Sequence, residues 1–144
     1  MEYRILNDEQ IEWQARRVAA AFEVKKFTCK SSDDAVFFCQ GRVGRNTVRW
    51  ILTRTYGPIN HIKVGKGRVG CDASYSIGGQ WQCSSHPAFN EQMARGLYRL
   101  GIEDEAVSAE LNLSLTAHEK LELRLFMPRE FWPQIWLDEK RAVG

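Results

Sequence analysis

The spacing of apolar residues changes near residue 27, and that change restricts the chain more than any other feature. Ile11, Ala15, Val18, Ala19 and Phe22 recur at helical spacing, which sets them on one stripe of an amphipathic helix. From Phe27 the period is two. Phe27 and Cys29 alternate with Thr28 and Lys30, and Phe37 and Cys39 resume the pattern beyond Ser31-Ser32-Asp33-Asp34. A helix followed by alternating strands predicts an α+β domain with a mostly antiparallel sheet built hairpin by hairpin.

Local signals fill in this frame. Asn7 is placed to cap the first helix, with Gln10 as capping-box partner and Leu6 with Ile11 as a hydrophobic staple. Lys25 and Lys26 follow its C-terminal end, where cations favour the helix dipole. Trp13 falls off the apolar stripe and onto the side of Arg16 and Arg17, since each helical residue turns the chain by about 100°. Residues 47–56 are dense in β-branched and aromatic side chains, with Val48, Trp50 and Leu52 on one face and Arg49, Ile51 and Thr53 on the other. Further on, His61 and Lys63 alternate with Ile62 and Val64. Val69, Cys71, Ala73 and Tyr75 define another strand, and Trp81 with Cys83 a further one.

A second helix is expected to open near Ser85 with Pro87 in its first turn. Phe89, Met93, Gly96, Leu97 and Leu100 would be its buried face and Gly101 its stop, with Gly96 allowing close approach to the sheet. Leu111, Leu113 and Leu115, then Leu121, Leu123 and Leu125, predict a last hairpin about Ala117-His118-Glu119, with Asn112 facing Arg124. Phe131, Trp132, Ile135 and Trp136 fit a short C-terminal helix. The expectation is one domain over residues 1–144, with about three helices and about seven or eight strands, helix-covered on one face.

Length and composition agree with a single core: 144 residues, 44% hydrophobic and 26% charged, are ordinary globular values. No apolar run approaches the roughly 18 residues of a membrane helix. The opening Met1-Glu2-Tyr3-Arg4 lacks a secretory layout, so a cytoplasmic location and no membrane partner are expected. Cys29, Cys39, Cys71 and Cys83 then read as reduced thiols packed on apolar strand positions.

Charge is distributed unevenly. Residues 35–71 contain no Asp or Glu but seven bases: Arg42, Arg45, Arg49, Arg54, Lys63, Lys66 and Arg68. Arg49, His61 and Lys63 point away from the inferred core, and Lys66 and Arg68 fall in a turn, so these groups can converge into one patch able to neutralise phosphates or carboxylates.

Other motifs carry less. Gly65-Lys66-Gly67-Arg68-Val69-Gly70 has the spacing of a dinucleotide loop, but that chemistry needs a helix starting at the loop, and residues 71–75 alternate as a strand. A hairpin loop is the better reading. Cys83 and His86 are near in sequence, yet no second tight pair completes a zinc site. Cys71 or Cys83 with His61 or His86 could form a nucleophile and base, but the alternation turns the sulfurs inward. No catalytic residue, metal or cofactor is therefore expected.

Three functions fit these residues. The first is a non-enzymatic binding module that engages a polyanion, nucleic acid or an acidic protein surface, through the seven bases. The second is a small inhibitor or immunity-type protein that blocks a protein target by occlusion, using Trp13 with Arg16 and Arg17 or the C-terminal aromatic helix. The third is an enzyme whose site is assembled from distant residues.

Overall fold

The structure is a computed structural model that describes residues 5–31, 33–54, 61–68, 71–76, 83, 89–103 and 105–126. In chain order the described elements are α1 (Asp8–Ala21), β1 (Phe27–Ser31), β2 (Val36–Val43), β3 (Asn46–Thr53), β4 (His61–Lys66), β5 (Ala73–Ser76), α2 (Glu91–Glu103), α3 (Glu105–Ser114) and α4 (Ala117–Leu125). The strands form one antiparallel sheet in the order β1-β2-β3-β4-β5. The α+β class and the antiparallel pairing agree with the sequence. The counts do not: the described residues hold five strands and four helices.

The capping box at α1 forms as expected, the Asn7 side chain accepting from the Gln10 amide and the Gln10 side chain from the Asn7 amide, both at 2.9 Å. Ile11, Ala15, Val18, Ala19 and Phe22 are buried, and Trp13 is not. At the other end Glu23 takes a positive φ of 64° and the Val24 amide donates back to the Ala19 carbonyl, a turn that closes the helix. The cation at this end is Arg99 of α2, which donates to the Ala21 carbonyl and pairs with Glu23 at 3.1 Å.

One face of the sheet presents Val48, Trp50 and Leu52 of β3, Ile62 and Val64 of β4, and Ala73 and Tyr75 of β5. These pack with the stripes of α1 and α2 in one core. The register fixes the other face: Gln40 of β2, Arg49 of β3, Lys63 of β4 and Ser74 of β5 stand opposite one another in a row. The β2–β3 connection is a two-residue turn, Gly44-Arg45, and Gly44 supplies its positive φ.

Several expectations are corrected. Helix α2 starts at Glu91, where the Asn90 side chain accepts from the Met93 amide at 2.8 Å; Ser85 and Pro87 lie outside the described residues. Gly101 does not stop it, because α2 runs to Glu103. Gly96 makes its close approach to the ring of Phe22 and not to the sheet.

The largest correction is the last hairpin, which is two helices. Leu111, Leu115 and Leu123 are buried, but Leu113, Leu121 and Leu125 are exposed, so the alternation of leucines is not a strand face. The local chemistry decides for helix: the Thr116 hydroxyl accepts from the Glu119 amide at 3.1 Å, and the Glu119 carboxylate accepts from the Thr116 amide at 3.0 Å, a capping box that starts α4. Asn112 consequently meets Lys120 and not Arg124 in this way, accepting from its Nζ through both Oδ1 and the backbone carbonyl at 2.7 and 3.0 Å. Lys120 is buried, and burial first, then Arg124, lowers its pKa.

The cysteines also depart from expectation. All four are paired, Cys29 with Cys39 and Cys71 with Cys83. The first pair sits directly across β1 and β2, where cross-strand side chains already face each other. Alternation does set Cys29 and Cys39 on one face, but the expectation of four thiols packed inward fails: Cys39 is buried, Cys29 is exposed, and Cys71 and Cys83 are half-buried outside the described strands. The expected strand at Trp81 and the C-terminal aromatic helix with Trp132 and Trp136 lie outside the described residues.

Candidate functional site

The basic residues of the middle segment divide into three groups. Arg42 is exposed on β2, Arg45 in the turn after it, Lys66 at the end of β4 and Arg68 just beyond. The Gly67 amide donates to the Arg45 carbonyl at 3.2 Å and the Thr47 hydroxyl to the Gly67 carbonyl at 2.5 Å, so the β2–β3 turn and the loop after β4 are laced into one end of the sheet. Asp72 completes that lacing, its carboxylate accepting from the Lys66 amide at 2.8 Å. Here the formal Gly-x-Gly-x-x-Gly run leaves a strand and enters a turn at Gly67, φ 71°, with β5 following. It is hairpin chemistry, as the sequence indicated.

At this end lies an open concavity of about 860 Å³, lined by Lys25, Lys26, Thr28, Gln40, Arg42 and Arg68 among others. No described lining residue is acidic. Gly41 makes the concavity fit together. A Cβ there would meet Val24 and lie 2.6 Å from the Lys26 carbonyl oxygen, so glycine lets the segment carrying the two lysines lie against β2. Lys25 and Lys26 are the residues the sequence reading missed. Their signal was a paired charge just before a strand, and it was absorbed by the simpler role of complementing the helix dipole.

Arg49 and Lys63 form the second group. They are direct cross-strand partners on β3 and β4, and both are half-buried. Burial lowers the Lys63 pKa first, and the neighbouring Arg49 lowers it further. Like charges placed opposite each other are unfavourable in a sheet, and a neighbouring anion would offset that repulsion.

Arg54 stands apart, at the far end of β3. Its guanidinium pairs with Asp8 at 2.5 Å and Asp34 at 2.8 Å, donates to the Leu6 carbonyl at 2.9 Å and lies over the Phe37 ring. These hydrogen bonds raise its pKa, Asp8 first and Asp34 next. It joins the start of α1 to the β1–β2 turn and is not brought to the other bases.

On α1, Trp13 is 55% exposed and the Arg17 guanidinium lies 4.5 Å from its ring centroid. Arg16 pairs with Glu12 at 2.6 Å. The cysteines that could have served as nucleophiles or ligands are in disulfides, and His86 lies outside the described residues. Among the described residues no three His, Cys, Asp or Glu side chains gather as metal ligands, and no helix is long and apolar enough to cross a membrane.

No protein-family model, curated protein or solved structure matches this chain.

Proposed function

We propose that the chain is a non-enzymatic binding module that engages a polyanion at the basic end of its sheet. The observation that carries this reading is the concavity that gathers Lys25, Lys26, Arg42 and Arg68 from three separate segments with no described acidic residue on its wall. Four cations converging on an open, concave surface raise the local concentration of anionic partners and their rate of encounter. Arg49 and Lys63 extend the same field along the open face. The paired cysteines fit an oxidising compartment better than the cytoplasm, so the polyanion is one met there.

The test is a titration of labelled single-stranded DNA, duplex DNA and polyglutamate at several salt concentrations, with the variant K25Q/K26Q/R42Q/R68Q. Affinity should fall in the variant, and each lost phosphate contact should flatten the log-affinity against log-salt slope by about 0.7 to 0.9. Unchanged binding by a folded variant would remove the concavity from the mechanism. A second reading, occlusion of a protein target, is favoured by one observation, the exposed Trp13 ring held under Arg17. Binding to such a target would survive the quadruple variant and be lost in Trp13→Ala.

A further inference from the structure

Beside the concavity, on the outward face of β1, β2 and β3, lies a smaller recess of about 190 Å³. Its walls include Lys30, Phe38, Gln40 and Arg49, and its floor lies at Cys39 and Trp50. The register explains this grouping. Lys30 is the direct partner of Phe38 across β1 and β2, and Gln40 is the direct partner of Arg49 across β2 and β3. Alternation along β2 then places Phe38 and Gln40 on the same face, with Arg49 diagonal to Phe38. Phe38 is 51% exposed, an aromatic ring presented to solvent between two cations. The β5 end of this face is different, because Ser74 is only 1% exposed.

The recess is too small to enclose a drug-sized ligand, but it is open to a flat ring laid against Phe38. Thr28 and Gln40 line both this recess and the basic concavity, so the two are continuous. From Phe38 to Arg42 along β2 is about 13 Å at the usual strand rise, the span of a few nucleotides. A continuous basic track with an exposed aromatic ring on it is the physical design by which proteins hold a single strand, phosphates against cations and bases against rings. An acidic protein surface would use the cations and gain little from the ring. A duplex would offer its phosphates but keep the faces of its bases stacked within.

We propose that this face binds single-stranded nucleic acid, with a base stacked on Phe38 and the neighbouring phosphates held by Lys30 and Arg49. The inference rests on the polyanion reading and names its ligand. The probes are a labelled 12-nucleotide oligothymidylate, an abasic strand with the same number of phosphates, a 12-base-pair duplex and polyglutamate.

The full chain should bind the oligothymidylate about tenfold more tightly than the abasic strand, the scale of one stacked base. Phe38→Ala should abolish that ratio while leaving the salt slope unchanged. Equal binding of the two strands by the parent protein would overturn the stacking inference and leave the polyanion reading intact; this comparison needs no variant. Binding to polyglutamate or duplex in preference to either strand would overturn it in the same way. Failure to bind all four probes would sink the polyanion reading as well.

Discussion

Gly96 of α2 lies so close to Phe22 that a Cβ at position 96 would run into three carbons of the phenyl ring. The absent side chain is therefore what lets α2 settle against the end of α1. Alanine at this position gains about 1 kcal/mol of helix propensity, but overpacking a filled core costs about 1–3 kcal/mol. Gly96→Ala should lower stability by about 1 kcal/mol net, measured by urea denaturation. Phe22→Leu in the same chain should recover part of the loss, and a double-mutant cycle would report that coupling. A Gly96→Ala protein as stable as the parent would show that the ring does not hold this position.

The helical reading of residues 105–125 makes opposite demands on neighbouring leucines. A hairpin puts Leu111 and Leu113 on one face, whereas α3 buries Leu111 and leaves Leu113 86% exposed. Leu111→Ala should cost about 2–5 kcal/mol, and Leu113→Ala less than about 0.5 kcal/mol. Equal losses would restore the hairpin.

This region also shows where the sequence is legible and where it is not. A leucine at every second position satisfies a strand template, and buried positions such as Lys120, Leu123 and Arg124 satisfy a helical one. The Thr116–Glu119 capping box was the deciding local signal. The alternation over β1, β2 and β3 had no such competitor, so the core face of Val48, Trp50 and Leu52 and the outward position of Arg49 could be read directly. The exposure of Trp13 followed from its angle on the helix. The concavity was not legible as a unit. Lys25 and Lys26 meet Arg42 and Arg68 only through the packing of Val24 and Phe27 around Gly41, and no spacing along the chain encodes that meeting.

The paired cysteines predict that intact mass after alkylation, under denaturing and non-reducing conditions, will show no added groups. After reduction four groups should appear. Loops of this size give each disulfide about 2–3 kcal/mol of stabilisation in the chain-entropy account, so reduction should shift the denaturation midpoint strongly downward. Any alkylation before reduction would return a cysteine to the free state.

Arg54 and the basic rim should separate in a stability assay. Arg54→Met removes the bonds to Leu6, Asp8 and Asp34 together and should lower Tm by roughly 5 °C. Arg42→Gln and Arg68→Gln, both at exposed positions, should leave Tm nearly unchanged. Polyanion binding should respond in the reverse order.

His61 gives the fold a pH dependence of known sign. Burial first, and Lys63 second, hold its pKa below the ordinary value of 6.5, while its Nδ1 lies 2.8 Å from the Ser76 hydroxyl. The unfolded chain therefore takes up a proton before the folded one does. Stability from this group is complete above about pH 6.5 and is lost as pH falls toward the folded pKa. Denaturation midpoints between pH 5 and 8 should show that decline, and His61→Gln should reduce it. A slope of the opposite sign would exclude a half-buried imidazole whose pKa is lowered by burial.

In the sheet order β1-β2-β3-β4-β5 every strand bonds to its neighbours in sequence, so each pairing closes only a short stretch of chain. The meeting of α1 with α2, across about seventy residues, is the costly closure. The sheet is thus expected to zip early and the helices to dock late. In stopped-flow measurements, a change at Gly96 should chiefly speed unfolding, and a change at Trp50 should chiefly slow refolding.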